Sequence, residues 1–249
     1  MPVKAEFNYS AIPPGYYDLV HNRNGGVHST WHRAKFSFVS QLIAAKGKHL
    51  DIGCGPGTFI GGYLADNDCL GIDIDERQIH WANAHHGRSN ARFLAFDGYR
   101  LPFADASFDS ISLIEVIEHL TDETIASLLG ESRRCLKPGG HLVVTTPNYR
   151  SPWPLLELII NRFLPVGYDE QHINKFTPSG FRHHLEKYGF STISSGTFMF
   201  SGSFIAALSP RLAKRIIQLE NHYSSARWQL LLYGVFAAGK KPPHLPQDD

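Results

Sequence analysis

Three glycines spaced two residues apart, Gly53, Gly55 and Gly57, sit in LDIGCGPGTF (residues 50–59), directly after an apolar run and before a helix-like stretch. A strand that turns into a helix through glycines lets a ligand reach the backbone N–H groups, because glycine accepts positive φ and carries no Cβ. The chemistry of such a turn is the holding of a nucleotide-like group, and its neighbours say which kind. A dinucleotide turn has its third glycine one position later, as G-x-G-x-x-G, where this chain has Thr58. A turn that holds phosphates also keeps anions away from its N–H groups, yet Asp51 stands at the strand's end. An acid there suits a ligand that is cationic beside the loop.

Two more acids follow at matching places. Asp73 closes the run LGIDID, 22 residues beyond Asp51, where a carboxylate pairs with both hydroxyls of a ribose. Asp75 is available to cap the next helix, which leaves Asp73 free for a ligand. Asp97 and Gly98 end FLAFDG, a position from which a carboxylate can accept a hydrogen bond from an adenine amino group. A nucleoside with a cationic tail fits this set, and the methionyl part of S-adenosylmethionine carries an ammonium and a sulfonium. A nicotinamide-dependent oxidoreductase fits less well, given Asp51 and the missing glycine; a catalytically silent cofactor-binding subunit is a third reading. Cys54 lies inside the loop with nothing basic beside it in sequence, and reads as packing.

The 14 histidines raise the question of a metal. His85–His86 and His183–His184 are adjacent pairs, which project in different directions on a helix and make poor joint ligands. Glu115 and Glu118, three apart, are the nearest approach to an oxygen pair. No metal is expected. For proton removal from an acceptor hydroxyl, histidine is the suited type; His119, next to Glu118, and His172, in EQHINKF, are the two named as catalytic.

These residues need a frame to position them. Short apolar runs at 49–52, 69–74, 91–96, 110–114 and 141–146 alternate with helix-like segments, the rhythm of a parallel sheet covered by helices. Asp75 with Gln78, and Thr121 before Asp122 and Glu123, read as helix starts, and Lys137-Pro138-Gly139-Gly140 as a stop before the fifth strand. Thr177-Pro178 opens a helix that should end at Gly189, and extended runs near 191–200 and 231–238 complete seven strands. Residues 1–47, with Tyr9, Tyr16, Tyr17, Trp31 and a helix near 30–45, are expected to form a small N-terminal cap on a single domain spanning 1–249. Residues 147–176, rich in proline and large apolar groups, are expected to form a lid insertion. Within it, residues 155–164 read as a helix with Leu156, Ile159, Ile160 and Phe163 on one side.

Composition sets the outer bounds. Apolar residues make up 43% and charged residues 19% of the 249, a globular balance. Lys plus Arg number 24 and Asp plus Glu 23, with no dense basic run, so a nucleic-acid partner is not indicated. The three cysteines show no CxxC spacing, which fits a reducing, cytoplasmic setting. No run of about twenty apolar residues argues for stable membrane insertion.

In order, DIGCGPG, GIDID, FDG, LPFADASFD, EVIEHL, LKPGG and TTPN over residues 49–148 resemble the class I S-adenosylmethionine-dependent methyltransferases. The set is most similar to the small-molecule branch that includes the ubiquinone and menaquinone biosynthesis enzymes, and WHR and EQHINKFTP are more loosely similar to flanking pieces there. The resemblance implies an α/β, Rossmann-like sheet of order 3-2-1-4-5-7-6 with the last strand antiparallel and helices on both faces. It implies S-adenosylmethionine as cofactor and S-adenosylhomocysteine as product. Asp51, Gly53, Cys54, Gly55, Pro56 and Gly57 would hold the methionine portion. Asp73 and Ile74 would meet ribose and adenine, Asp97 and Gly98 the adenine edge, and Ile114 and Glu115 would line the methyl donor. The expected acceptor is a small molecule with an apolar or aromatic body, methylated on oxygen rather than on carbon or nitrogen.

Overall fold

The computed structural model describes residues 12–23, 25–43, 45–98, 100–151, 172–198, 205–206, 209–222 and 234–242. They form α1 (Tyr16–His21), α2 (Val27–Ser40), β1 (Lys48–Ile52), α3 (Thr58–Tyr63), β2 (Asp68–Asp73), α4 (Glu76–His86), β3 (Ala91–Ala95), β4 (Phe108–Ile114), α5 (Asp122–Cys135), β5 (Leu136–Pro147), α6 (Pro178–Lys187), β6 (Ser191–Phe198), α7 (Pro210–His222) and β7 (Gly234–Lys240). The seven strands form one sheet in the order β3-β2-β1-β4-β5-β7-β6, as expected. β7 runs antiparallel to both β5 and β6, and the other pairings are parallel.

Alternation along the central strands feeds two separate cores. On one face Leu50, Ile52, Ile111, Leu113, Leu142 and Val144 pack beneath Ile125 and Leu129 of α5 and Phe181 and Leu185 of α6. On the other, Phe38, Val39, Phe59, Ile60, Ile79 and Phe93 join α2, α3 and α4 to the sheet. Each fully buried leucine or phenylalanine contributes about 1.5–3 kcal/mol, so the sheet is clamped from both sides.

Capping side chains set the helix starts. Asp75 Oδ1 accepts from Arg77 N at 2.9 Å, Thr121 Oγ1 from Thr124 N at 3.3 Å, and Thr177 Oγ1 from Gly180 N at 3.4 Å. Gln78 does not complete a capping box with Asp75. Its amide instead accepts from Gly15 N at 3.0 Å and donates to Pro13 O at 3.2 Å, docking the N-terminal segment on α4. The expected stop at Lys137–Gly140 is also displaced. α5 already ends at Cys135, and the KPGG stretch lies within β5, bulging between the Phe108/Leu136 and Ser110/His141 pairs with Gly139 at φ +79. α2 begins and ends earlier than the expected 30–45. The lid helix near 155–164 lies outside the described residues. Among the described residues, no helix is long and apolar enough to cross a membrane.

Candidate active site

The glycine loop leaves β1 and is tied back to β2: Gly53 N and Cys54 N both donate to Ile72 O, at 2.8 and 3.0 Å. Gly53 and Gly55 are glycines for different reasons. A Cβ on Gly53, at φ +73, would stand 2.5 Å from Val116 Cγ2, so the fold's own packing excludes it. A Cβ on Gly55, at φ +51, would meet nothing within 4 Å. The space over Gly55 is therefore open among the described residues, and glycine is there for its positive φ. Cys54 is buried, and burial together with Asp73 and Asp51 pushes its thiol well up, so it packs and is no nucleophile.

The three strand-end acids differ. Asp51 is almost wholly buried and accepts from the Ser112 hydroxyl; burial pushes it up to about 7, with the Asp73 charge adding to the rise. Asp73 is not free, contrary to expectation. Its Oδ2 accepts from Gly55 N at 2.8 Å and its Oδ1 from Asp75 N at 2.9 Å, so one carboxylate fixes both the loop and the start of α4. The helix cap on Asp75 does not release Asp73, because the backbone that turns into the cap still needs an acceptor. Burial raises its pKa. Asp97 and Gly98 are exposed just past β3. Between them and the loop, Ile74 is 51% and Leu94 50% exposed, large apolar side chains left open at the strand ends. Leu94 went unnamed in the sequence because a lone apolar residue in a strand reads as core.

The second half of the site lies beyond β4. Ile114 is half-buried, and Glu115 takes φ +57, a strained left-handed conformation for a non-glycine residue. Two bonds hold it there: its N donates to Thr145 O at 3.1 Å, and Thr145 Oγ1 donates to its carboxylate at 2.8 Å. The kink leads into a single 3-10 turn, Ile117–His119. Here Asn174 acts as a fastener. Its N donates to Glu118 O at 3.0 Å and its Nδ2 to Leu120 O at 2.6 Å. The two histidines named from the sequence are thereby brought together, with ring centroids 5.1 Å apart. Tyr149, which sequence reasoning missed, places its hydroxyl 2.6 Å from His172 Nδ1.

Glu118 is 1% exposed, and among the described residues its Oε2 has no hydrogen-bond partner. Burial and the neighbouring Glu115 carboxylate push its pKa well up, and Lys35, itself buried on α2, works against that rise. One oxygen of Glu118 and one nitrogen each of His119 and His172 lie within 4.8 Å of one another, a set that could take a cation. The Glu115–Glu118 oxygen pair considered from the sequence is not that set, since Glu115 turns to Thr145. The adjacent histidines diverge as anticipated: His85 stacks on Trp81 at 3.9 Å, while His86 Nε2 lies 2.9 Å from Asp18.

Comparison with known proteins agrees with this geometry. A family profile described as a methyltransferase domain matches residues 27–195. A probable S-adenosylmethionine-dependent methyltransferase of Mycolicibacterium smegmatis is 31% identical over 195 residues, covering 76% of this chain and 70% of that protein. A ubiquinone biosynthesis O-methyltransferase of Acinetobacter baylyi is 31% identical over 160 residues, covering 57% of this chain and 62% of that one. Among solved structures, a methyltransferase of Thermotoga maritima described as a possible histamine N-methyltransferase superposes with a TM-score of 0.63 at 18% identity, over 90% of this chain and 92% of that one, which speaks to the fold. With a parallel sheet of this order, an open glycine loop flanked by strand-end acids and a family match over more than half its length, the chain belongs to the class I S-adenosylmethionine-dependent methyltransferases.

Proposed function

We propose that this methyltransferase acts on a hydroxyl of a small molecule with an apolar or aromatic body. The observation that carries the reading is the pairing of His119 with His172, the latter held by Tyr149, at the open strand ends. Bound S-adenosylmethionine supplies an electrophilic methyl group on a sulfonium. Toward it, Asp51 and residues Gly53, Cys54, Gly55, Pro56 and Gly57 would hold the methionine portion. Asp73 and Ile74 would hold ribose and adenine, Asp97 and Gly98 the adenine edge, and Ile114 and Glu115 the wall beside the reacting centre. The opening over Gly55 and the exposed Ile74 and Leu94 fit such a group. The residues 1–47 and 147–176 would cover the acceptor and exclude water, which helps a reaction in which positive charge disappears. Balanced charge supports a small acceptor over nucleic acid.

For an oxygen acceptor, a neutral imidazole at His119 or His172 removes the proton. If His172 Nδ1–H donates to Tyr149, its Nε2 is left as the basic nitrogen. A second reading is favoured by the clustering of Glu118, His119 and His172: a divalent cation held there would bind the acceptor oxygen and lower its pKa. One experiment separates them. With an acceptor found by screening phenols and quinols, single-turnover rates are measured at saturating cofactor for His119→Ala and His172→Ala, with and without a chelator. A base predicts a fall of at least about tenfold in one variant and indifference to chelator. A cation predicts loss on chelation with recovery on metal addition. Neither response would leave proximity alone to carry the reaction.

A further inference from the structure

Behind Asp51 the sheet carries a polar line that the reaction does not explain. β1 and β4 pair so that His49 lies opposite Ser110 and Asp51 opposite Ser112. Ser110 Oγ is 2.8 Å from His49 Nδ1, Ser112 Oγ is 3.0 Å from His49 Nε2, and the Ser112 hydroxyl donates to Asp51 Oδ1. All four side chains are buried. An apolar set of this size would pack a sheet centre at lower desolvation cost, so the polar line calls for a reason.

We propose that Ser110, His49 and Ser112 form a reversible hydrogen-bond chain behind Asp51, set in one direction when Asp51 faces the cofactor's ammonium and able to run the other way when it does not. The proposal rests on the reading that Asp51 meets that ammonium. Each hydroxyl has one proton to give, and a neutral imidazole has one N–H and one acceptor nitrogen. As a carboxylate, Asp51 only accepts. Ser112 then donates to it and accepts from His49 Nε2–H, leaving Nδ1 to accept from Ser110. When Asp51 is protonated, every link reverses: Asp51 donates to Ser112, Ser112 to His49 Nε2, and His49 Nδ1–H to Ser110. Both arrangements satisfy all three links, so the ring never has to charge, and its tautomer reports the proton on Asp51. Burial pushes Asp51 up to about 7 and His49 down to about 3, which keeps both directions within reach near neutrality. Among the described residues, the other titratable groups acting at Asp51 and the loop are Asp73, which raises it, and the Cys54 and Cys69 thiols, both pushed up by burial. On binding, the Asp51 proton leaves to solvent and no covalent bond to carbon changes.

The sign follows. A ligand that needs the carboxylate must expel a proton below the Asp51 pKa, so affinity rises with pH up to about 7 and then levels, by up to about tenfold per pH unit. The test is nitrogen NMR on protein labelled at histidine, with the His49 signals assigned by their loss in His49→Gln and, should that variant not fold, by their shift in Ser110→Ala. S-adenosylhomocysteine should convert His49 to the Nε2–H tautomer, whereas the free protein at about pH 6 shows Nδ1–H. Calorimetry should find the same pH midpoint in S-adenosylhomocysteine affinity, a flat profile for 5′-methylthioadenosine, which lacks the ammonium, and a raised midpoint in Ser112→Ala. A His49 tautomer unchanged by S-adenosylhomocysteine, with Asp51→Asn still weakening its binding, overturns the chain. Unchanged affinity in Asp51→Asn overturns instead the placement of Asp51, and the chain with it.

Discussion

The glycine loop after β1 and the histidine pair beyond β4 sit at the same end of the sheet but are assembled in different ways. The loop is made of consecutive residues whose backbone conformations and N–H bonds do the positioning, and the Asp73 side chain ties Gly55 N down. The histidine pair is made of side chains from segments far apart in sequence, joined by Asn174 and held by Tyr149. A backbone-built site fails when a residue type is wrong, whereas a side-chain-built site fails when a distant fastener is lost. The two halves should therefore respond to different substitutions.

The largest effect should come from Gly53→Ala. Its Cβ would sit 2.5 Å from Val116 at positive φ, and left-handed strain plus overpacking together cost about 3 kcal/mol. Melting should fall by about 6–12 °C for a chain of this size, with S-adenosylhomocysteine binding lost alongside. Gly55→Ala sharpens the point, because its Cβ meets no protein atom within 4 Å. The backbone cost of about 1 kcal/mol should lower melting by only about 2–4 °C, yet affinity should drop more than about tenfold. Calorimetry showing normal affinity in Gly55→Ala would mean that no ligand approaches the loop there.

Next in size is Asp73→Ala, which removes a charged acceptor for the proposed ribose hydroxyls and frees Gly55 N and Asp75 N at once. An affinity loss of about 1.5–3 kcal/mol is expected. Melting should also fall, which a residue acting on ligand alone would not produce. Unchanged affinity with a native circular dichroism spectrum would contradict the assignment.

The smallest effect tests the other half. Asn174→Ala removes the 2.6 Å bond to Leu120 O while leaving the glycine loop untouched. Losing about 1 kcal/mol of restraint should cut the single-turnover rate about fivefold and leave S-adenosylhomocysteine affinity within about twofold. A parallel loss of affinity would show that the two halves are not independent.

The sequence by itself determined the alternation of strands and helices, the loop and the strand-end acids, because each depends on neighbours within a few residues: a glycine where φ is positive, a carboxylate where a strand ends, a threonine where a helix begins. The strand order was legible only through the resemblance to class I methyltransferases. Even there its reach was local. It named Asp73 as a ligand residue but missed that both oxygens already hold backbone N–H groups, and it took the KPGG stretch as a stop when β-pairing with β4 draws it into β5. Only the tertiary structure decided that His119 and His172 meet, that Tyr149 supports the pair, that Glu118 is buried beside them, and that His49 connects Ser110 to Ser112 and so to Asp51. Those facts rest on strand register and on two hydrogen bonds from Asn174, and the spacing of residues along a chain carries no record of which distant side chain will fill a given space.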